Sequence, residues 1–258
     1  MSRTASADQG AHEHSTTPWM PTPPVSDLGC VLGVWAHPDD ETYLSAGLMA
    51  AARARGQRVV CVNATRGEHG TPDPVRWPPE RLARTRAYEI AAAMAVLGVD
   101  DHRCLDLEDG TLAGLDQDEG VRRIVALIEE VQPDTVVTFG PDGMTGHDDH
   151  RAISAWTVAA WRATGTQARL LYATTTEAFV DEYADIHEEL GVFEPGFPLP
   201  TAAQDVAWAL TLDDALLDRK LAALRCQATQ TAPVVEAMGE DAFRVWWRTE
   251  TFRAPQAP

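Results

Sequence analysis

A seven-residue apolar run, Cys30 to Ala36, empties directly into His37-Pro38-Asp39-Asp40-Glu41. A short run that is apolar at every position fits a strand buried on both faces, and strands of that kind belong to parallel sheets covered by helices. In open α/β sheets, ligands bind outside the carboxyl ends of the strands. An imidazole and two adjacent carboxylates at such a place are the parts of a metal site plus a general base. A second cluster, His147-Asp148-Asp149-His150, follows another apolar run, Thr135 to Phe139. Two strand-end clusters of like chemistry, about a hundred residues apart in sequence, can converge on one centre across a parallel sheet.

The rest of the chain supports that architecture by alternation. Strands are expected at 30–36, 58–64, near 102–106, at 135–139, 168–175 and 206–212. Helices are expected at 42–54, 80–97, 117–131, 149–163 and 213–228. Gly56, Gly98 and Gly165 stand where helices should stop, and Pro133 follows the third helix. The fold class is therefore α/β, a Rossmann-like and mainly parallel sheet with helices on both faces. Residues 1–27 are rich in Ser, Thr, Pro and His without periodicity and read as a flexible arm, with His12 and His14 solvated. Residues 28–258 read as a single domain. Within it, 176–204 carries several Gly and Pro and reads as an irregular, substrate-lining segment. The aromatics Phe243, Trp246, Trp247 and Phe252 near the end read as core or lid packing.

A net charge of −18 excludes a nucleic-acid backbone as partner, because phosphate binding needs clustered Lys and Arg. No stretch reaches transmembrane length, and the N-terminus lacks the basic-then-apolar pattern of a secretion signal. The four cysteines, Cys30, Cys61, Cys104 and Cys226, form no Cys-x-x-Cys pair. Reduced thiols and a cytoplasmic location are the expectation. Oligomeric state is left open.

The two clusters suggest a specific division of labour. Catalytic zinc takes three protein ligands and leaves a position for water. His37, Asp40 and a histidine of the second cluster would make that set, with zinc or another divalent transition metal as the cofactor. Asp39 is free to point away from its neighbour and take a proton from water, as a general base does. Its bland alternative is a cap on the following helix. Glu41 is suited to supporting a ligand from behind. In the second cluster, His147 and His150 share roughly one face of a helical turn. Both could bind metal, or one could bind while the other, held by Asp149, donates to an oxyanion or leaving amine. Spacing leaves that choice open. No Gly-x-Ser-x-Gly elbow accompanies either cluster, so a serine triad has no support. No Gly-x-Gly-x-x-Gly follows the first strand, which removes a dinucleotide site.

Ala36-His37-Pro38-Asp39-Asp40-Glu41 resembles the signature of the GlcNAc-phosphatidylinositol de-N-acetylase family, also called PIG-L or LmbE-like. Four further motifs resemble it in the same order: Thr65-Arg66-Gly67-Glu68-His69-Gly70, then Arg86 and Glu89 on a helix closing in Leu97-Gly98, then Asp109-Gly110, then the stretch Gly140 to His150. The resemblance covers about residues 30–175. It implies a zinc hydrolase in which His37, Asp40 and His150 are the ligands and Asp39 the general base. His147 would stabilise the oxyanion or protonate the amine, tuned by Asp149. Arg86 and Asp109 match positions that hold sugar hydroxyls, and a rigid donor fork beside a carboxylate acceptor suits a polyol. Two positions depart from the family pattern. Asp148 stands in place of a usual Pro, and Thr145 in place of a Tyr that polarises the carbonyl in mycothiol-type relatives.

The function expected is removal of an N-acyl group, acetyl by default, from a small amino-sugar conjugate by a zinc-dependent deacetylase or amidase acting on a linear amide. Rival readings are an amidase on a thiol conjugate or acylated antibiotic, and a non-catalytic metal- or sugar-binding protein. The presence of Asp39 speaks against the last, since binding alone needs no base.

Overall fold

The computed structural model describes residues 25–255. The expected arm, including His12 and His14, lies outside the described residues up to position 24. The arm's expected end at 27 falls inside a short 3-10 turn, Val25–Leu28, whose Val25 and Leu28 are buried.

Five parallel strands form the body of one sheet: β1 (Val31–Trp35), β2 (Val59–Thr65), β3 (Asp101–Leu107), β4 (Thr135–Phe139) and β5 (Arg169–Thr174). Every residue of β1, β2 and β4 is buried, which is why these runs show no polar alternation in sequence. The helices α1 (Asp40–Ala54), α2 (Pro79–Leu97), α3 (Gln117–Val131) and α4 (Asp148–Ala163) connect and cover them. The C-terminal third adds α5 (Glu177–Glu182), α6 (Ala184–Leu190), β6 (Trp208–Thr211), α7 (Asp214–Cys226), α8 (Ala228–Met238), α9 (Glu240–Trp246) and β7 (Thr249–Arg253). Sheet order is β3-β2-β1-β4-β5-β7-β6, and β7 runs antiparallel to both of its neighbours.

That order decides where chemistry can happen. The chain builds outward from β1 through β2 to β3, then returns to the other side of β1 with β4. The connections leaving β1 and β4 therefore diverge, and a crevice opens between their carboxyl ends. Both polar clusters of the sequence sit at those two ends.

The α/β alternation is as expected, with strand and helix limits within two residues for most elements. The segment 176–204 is less irregular than its Gly and Pro content implies. It folds into α5 and α6, and His187 is buried among Phe179, Tyr183, Phe193 and Trp246. The Trp246 Nε1–H donates to His187 Nε2 at 3.0 Å, which ties this segment to α9. Among the described residues no helix is long and apolar enough to cross a membrane. All four cysteines are free thiols.

One buried ion pair fastens the C-terminal third to α1. Lys220 of α7 and Glu250 of β7 meet at 2.9 Å with almost no exposure. Glu250 also accepts the backbone N–H groups of Gly47 and Leu48, at 2.7 and 2.8 Å. Lys220 donates to the Tyr43 carbonyl at 2.5 Å. Gly47 leaves room for this packing, since a Cβ there would stand 2.2 Å from Leu212 and 3.1 Å from Glu250 Oε1.

Removing one partner of such a pair leaves an uncompensated buried charge, at a cost of about 3–5 kcal/mol. Lys220→Met is expected to lose stability of that order in chemical denaturation, and the double change Lys220→Met/Glu250→Gln to recover part of it. A second expectation concerns pH. Burial pulls the pKa of His187 down from 6.5 to about 4, and its Nε2 must stay unprotonated to accept from Trp246. A depressed histidine pKa contributes stability that is fully present above about 6.5 and lost as pH falls toward 4, at up to ~1.4 kcal/mol per pH unit. The melting temperature of His187→Phe should therefore fall less steeply than that of the unaltered protein between pH 6.5 and 4. Parallel curves would refute the assignment.

Candidate active site

The first cluster leaves β1 through a strained turn. Asp39 has φ +111°, a backbone conformation that non-glycine residues rarely adopt. Glu41 holds it there. Its fully buried carboxylate accepts from the Asp39 N–H at 3.1 Å, from Asn63 Nδ2 at 2.9 Å and from Gln227 Nε2 at 2.8 Å. Strain of this kind persists where the surroundings over-determine it, and it concentrates at functional sites. Asp39 precedes α1, yet its side chain makes no capping hydrogen bond. The carboxylate faces the Arg86 guanidinium at 3.2 Å instead. The capping alternative is thereby excluded, and Asp39 stays partly open, with its side chain 19% exposed.

Three donor groups crowd beside it. His37 Nδ1 and His150 Nε2 lie 3.1 Å apart. The Asp40 carboxylate is 3.3 Å from His150 Nε2 through one oxygen and 3.6 Å from His37 Nδ1 through the other. Ligand atoms bound to zinc at 2.0–2.1 Å in tetrahedral array stand ~3.3 Å from one another. Here each Asp40 oxygen meets a different ring, so the three groups converge on one place, and a cation there would draw a single Asp40 oxygen toward both nitrogens. Among the described residues, two trios have donor atoms within 4.8 Å of one another: His37, His147 and His150 on this side, and His37, Asp109 and Asp149 on the other.

The far side of His37 is held by carboxylates. Its Nε2 is 3.0 Å from Asp109 and 3.3 Å from Asp149. Asp109 also accepts the His69 N–H, and Asp149 accepts the N–H groups of Gly110 and Leu112. Carboxylates already occupied in this way orient a ring and strengthen its other nitrogen as a ligand. On the opposite side, His150 stacks on Phe139 with centroids 4.1 Å apart, and its Nδ1 is shared by the Gly143 carbonyl and Thr145 Oγ1 at 3.1 and 3.0 Å.

Electrostatics follow from this crowding. Burial lowers the pKa of His37, but Asp109, Asp149 and Asp40 more than reverse it, lifting it to about 10. Burial raises Asp40 to about 8 against the pull of His37. Asp39 rises to about 6, driven by burial and restrained by Arg86. That places it near neutrality, where a general base works best. Burial and the neighbouring His37 hold His147 and His150 below the usual histidine range. Groups that share protons so closely surrender them when a cation arrives.

All the expected residues meet in one place, with two differences of detail. Asp149, expected beside the His147 ring, meets it only through its backbone N–H, which donates to His147 Nδ1 at 3.2 Å. Its carboxylate serves His37. Arg86, expected to face a sugar, is 3% exposed and donates to the carbonyls of Pro38 and Gly67 as well as to Asp39. Gly67 must lack a side chain for this, because a Cβ would lie 2.1 Å from Arg86 Nη1. Asn63 and Gln227 were not foreseen. Asn63 had the weak signal of a polar residue inside an apolar strand. Gln227, 186 positions from Glu41, had none.

Comparison with known proteins agrees with the geometry. Residues 32–161 match the family described as PIG-L, GlcNAc-PI de-N-acetylase. The chain is 32% identical to a 1D-myo-inositol 2-acetamido-2-deoxy-alpha-D-glucopyranoside deacetylase of Kineococcus radiotolerans, over 80% of this chain and 70% of the relative. It is 30% identical to the enzyme so described from Saccharomonospora viridis, covering 83% and 87%. The fold is that of N,N'-diacetylchitobiose deacetylase from Pyrococcus horikoshii, with a TM-score of 0.63 at 20% identity over 90% of this chain and 85% of that one. A strand-end cluster built on the β1 and β4 connections, five motifs in order and these relatives together place the chain in the GlcNAc-PI de-N-acetylase (PIG-L) family.

Proposed function

We propose that the chain is a zinc-dependent amide hydrolase that releases an acyl group from the nitrogen of an amino-sugar conjugate, with His37, Asp40 and His150 as the zinc ligands. The observation that carries this is the convergence of His37, Asp40 and His150 at the ends of β1 and β4, with Asp39 alongside. Relatives named as deacetylases of a glucosaminyl inositol and of chitobiose support the substrate class. When bound, the cation supplies Lewis acidity, which acidifies water and polarises an acyl oxygen.

The remaining steps belong to the protein's own groups. Asp39, with a pKa near 6, accepts a proton from the attacking water. Arg86 keeps its carboxylate aimed and lowers its tendency to hold a proton at rest. His147 accepts the Asp149 N–H on Nδ1, so a neutral ring carries its proton on Nε2. That N–H is a donor for the oxygen that gains charge as the carbonyl carbon becomes tetrahedral. When the C–N bond breaks, the proton held by Asp39 passes to the leaving amine, and the products are a carboxylate and a free amino sugar. Asp109, at the edge of the same loops, accepts from a sugar hydroxyl. Arg86 acts on the sugar mainly through the Asp39 and Gly67 positions that it fixes.

Replacing His37, Asp40 or His150 by Ala is expected to cut zinc content sharply in elemental analysis. Asp39→Asn should keep zinc and lose at least a hundredfold in kcat on N-acetylglucosaminyl substrates, the order expected for a lost general base. Full zinc occupancy in all three alanine variants would contradict the ligand set. Near-normal turnover in Asp39→Asn would contradict the base.

A further inference from the structure

A second feature of the crevice is not explained by acetyl removal. Beside Asp39, Asp40 and His150 opens a cavity of about 190 Å³. Its wall is almost wholly apolar: Tyr43, Phe139, Val192, Phe193, Val234 and the Trp246–Trp247 pair. These side chains come from α1, β4, the stretch after α6, α8 and α9 with the residue after it. A cavity of ~150 Å³ lined by aliphatic and aromatic side chains is large enough to hold benzene. An acetyl methyl needs far less room.

The polarity of the site is divided. On the Nε2 side of His37 lie Asp109, Asp149 and the loop around Glu68 and His69. On the Nδ1 side lie Asp40 and His150, and the apolar cavity begins there. An amide bond divides its substrate in the same way, into an amine half and an acyl half. Asp109, which keeps 7% of its surface open, is the carboxylate on the first side that can take a polyol hydroxyl, and with the amine half there the acyl half projects into the apolar side.

We propose that this cavity is an acyl pocket, and that the preferred substrates carry an apolar N-acyl group larger than acetyl, such as a short fatty acyl or an aroyl group. This rests on the reading of the site as an amino-sugar N-deacylase. The packing of the wall argues for a defined occupant. Phe139 is fully buried, and Trp246 is held by its hydrogen bond to His187. A rigid apolar cavity is poorly hydrated, so an alkyl or aryl group enters it at little desolvation cost.

The test uses the zinc-loaded full chain and a series of N-acetyl-, N-butanoyl-, N-hexanoyl- and N-benzoylglucosamine, with the octyl glycoside of N-acetylglucosamine alongside. Burying one methylene improves transfer by about fourfold. Even with incomplete burial, kcat/KM should rise at least tenfold from acetyl to hexanoyl. Val234→Trp, which fills the cavity, should lower the hexanoyl-to-acetyl ratio of kcat/KM at least tenfold. If that variant does not fold, the series on the unaltered protein decides. A second readout is direct binding to the metal-free protein by calorimetry, where N-hexanoylglucosamine should bind at least tenfold more tightly than N-acetylglucosamine. An acyl series that is flat or best at acetyl would overturn the pocket assignment while leaving the deacylase reading in place. A gain with the octyl glycoside and none with hexanoyl would assign the cavity to the aglycone and overturn it equally. No hydrolysis of any member would remove the deacylase reading, and the acyl pocket with it.

Discussion

The buried carboxylate of Asp149 is the interaction on which the site depends. It has almost no exposed surface, and its contacts come from two strand-end connections other than its own. It receives Gly110 and Leu112 from the chain after β3 and lies 3.3 Å from His37 after β1, while its own backbone opens α4 after β4. A carboxylate so buried is tolerated only when its oxygens are satisfied, and here the satisfaction joins three loops. His37 is thereby turned so that Nδ1 faces His150 and Asp40. The topology brings the loops near one another, and this group fixes their relative positions.

A second set of constraints acts on the proposed general base. The strained backbone at Asp39 is held from behind by Glu41, and its carboxylate is held from the side by Arg86. Glu41 in turn depends on Asn63 of β2 and on Gln227 at the junction of α7 and α8. The C-terminal third thus reaches the chemistry twice, once through Gln227 and once through the apolar wall supplied by Val234, Trp246 and Trp247. The Lys220–Glu250 pair anchors that third to α1. The proposed catalytic groups come from the first 150 residues, and the apolar wall beside them joins Tyr43 and Phe139 to residues from Val192 onward.

What could be read in advance follows this division. The buried parallel strands were legible because a strand covered on both faces is mostly apolar, without polar alternation. The meeting of the two clusters was legible because His37 to Glu41 and His147 to His150 place rare ionisable side chains at strand ends, where a parallel sheet gathers its loops. The two short helices in 177–190 were not, since their polar faces and the nearby Gly and Pro mimic a loop. Helix α8 was hidden by Pro233 in its interior. Strand β7 was hidden because Thr249–Arg253 alternates polar and apolar residues for only five positions. The antiparallel edge formed by β6 and β7 leaves no local trace, because strand direction is set by connections and not by composition. Gln227 and the cavity depend on tertiary neighbours far apart in sequence, and no local pattern marks them.

The central claim is that one cation sits between His37 Nδ1, Asp40 and His150 Nε2. Diffraction from zinc-grown crystals at the zinc absorption edge tests it most directly. A single strong anomalous peak is expected about 2.0–2.2 Å from each of those three groups. A peak instead on the other side of His37, between Nε2, Asp109 and Asp149, would contradict the assignment of ligands and of the carboxylates that orient them.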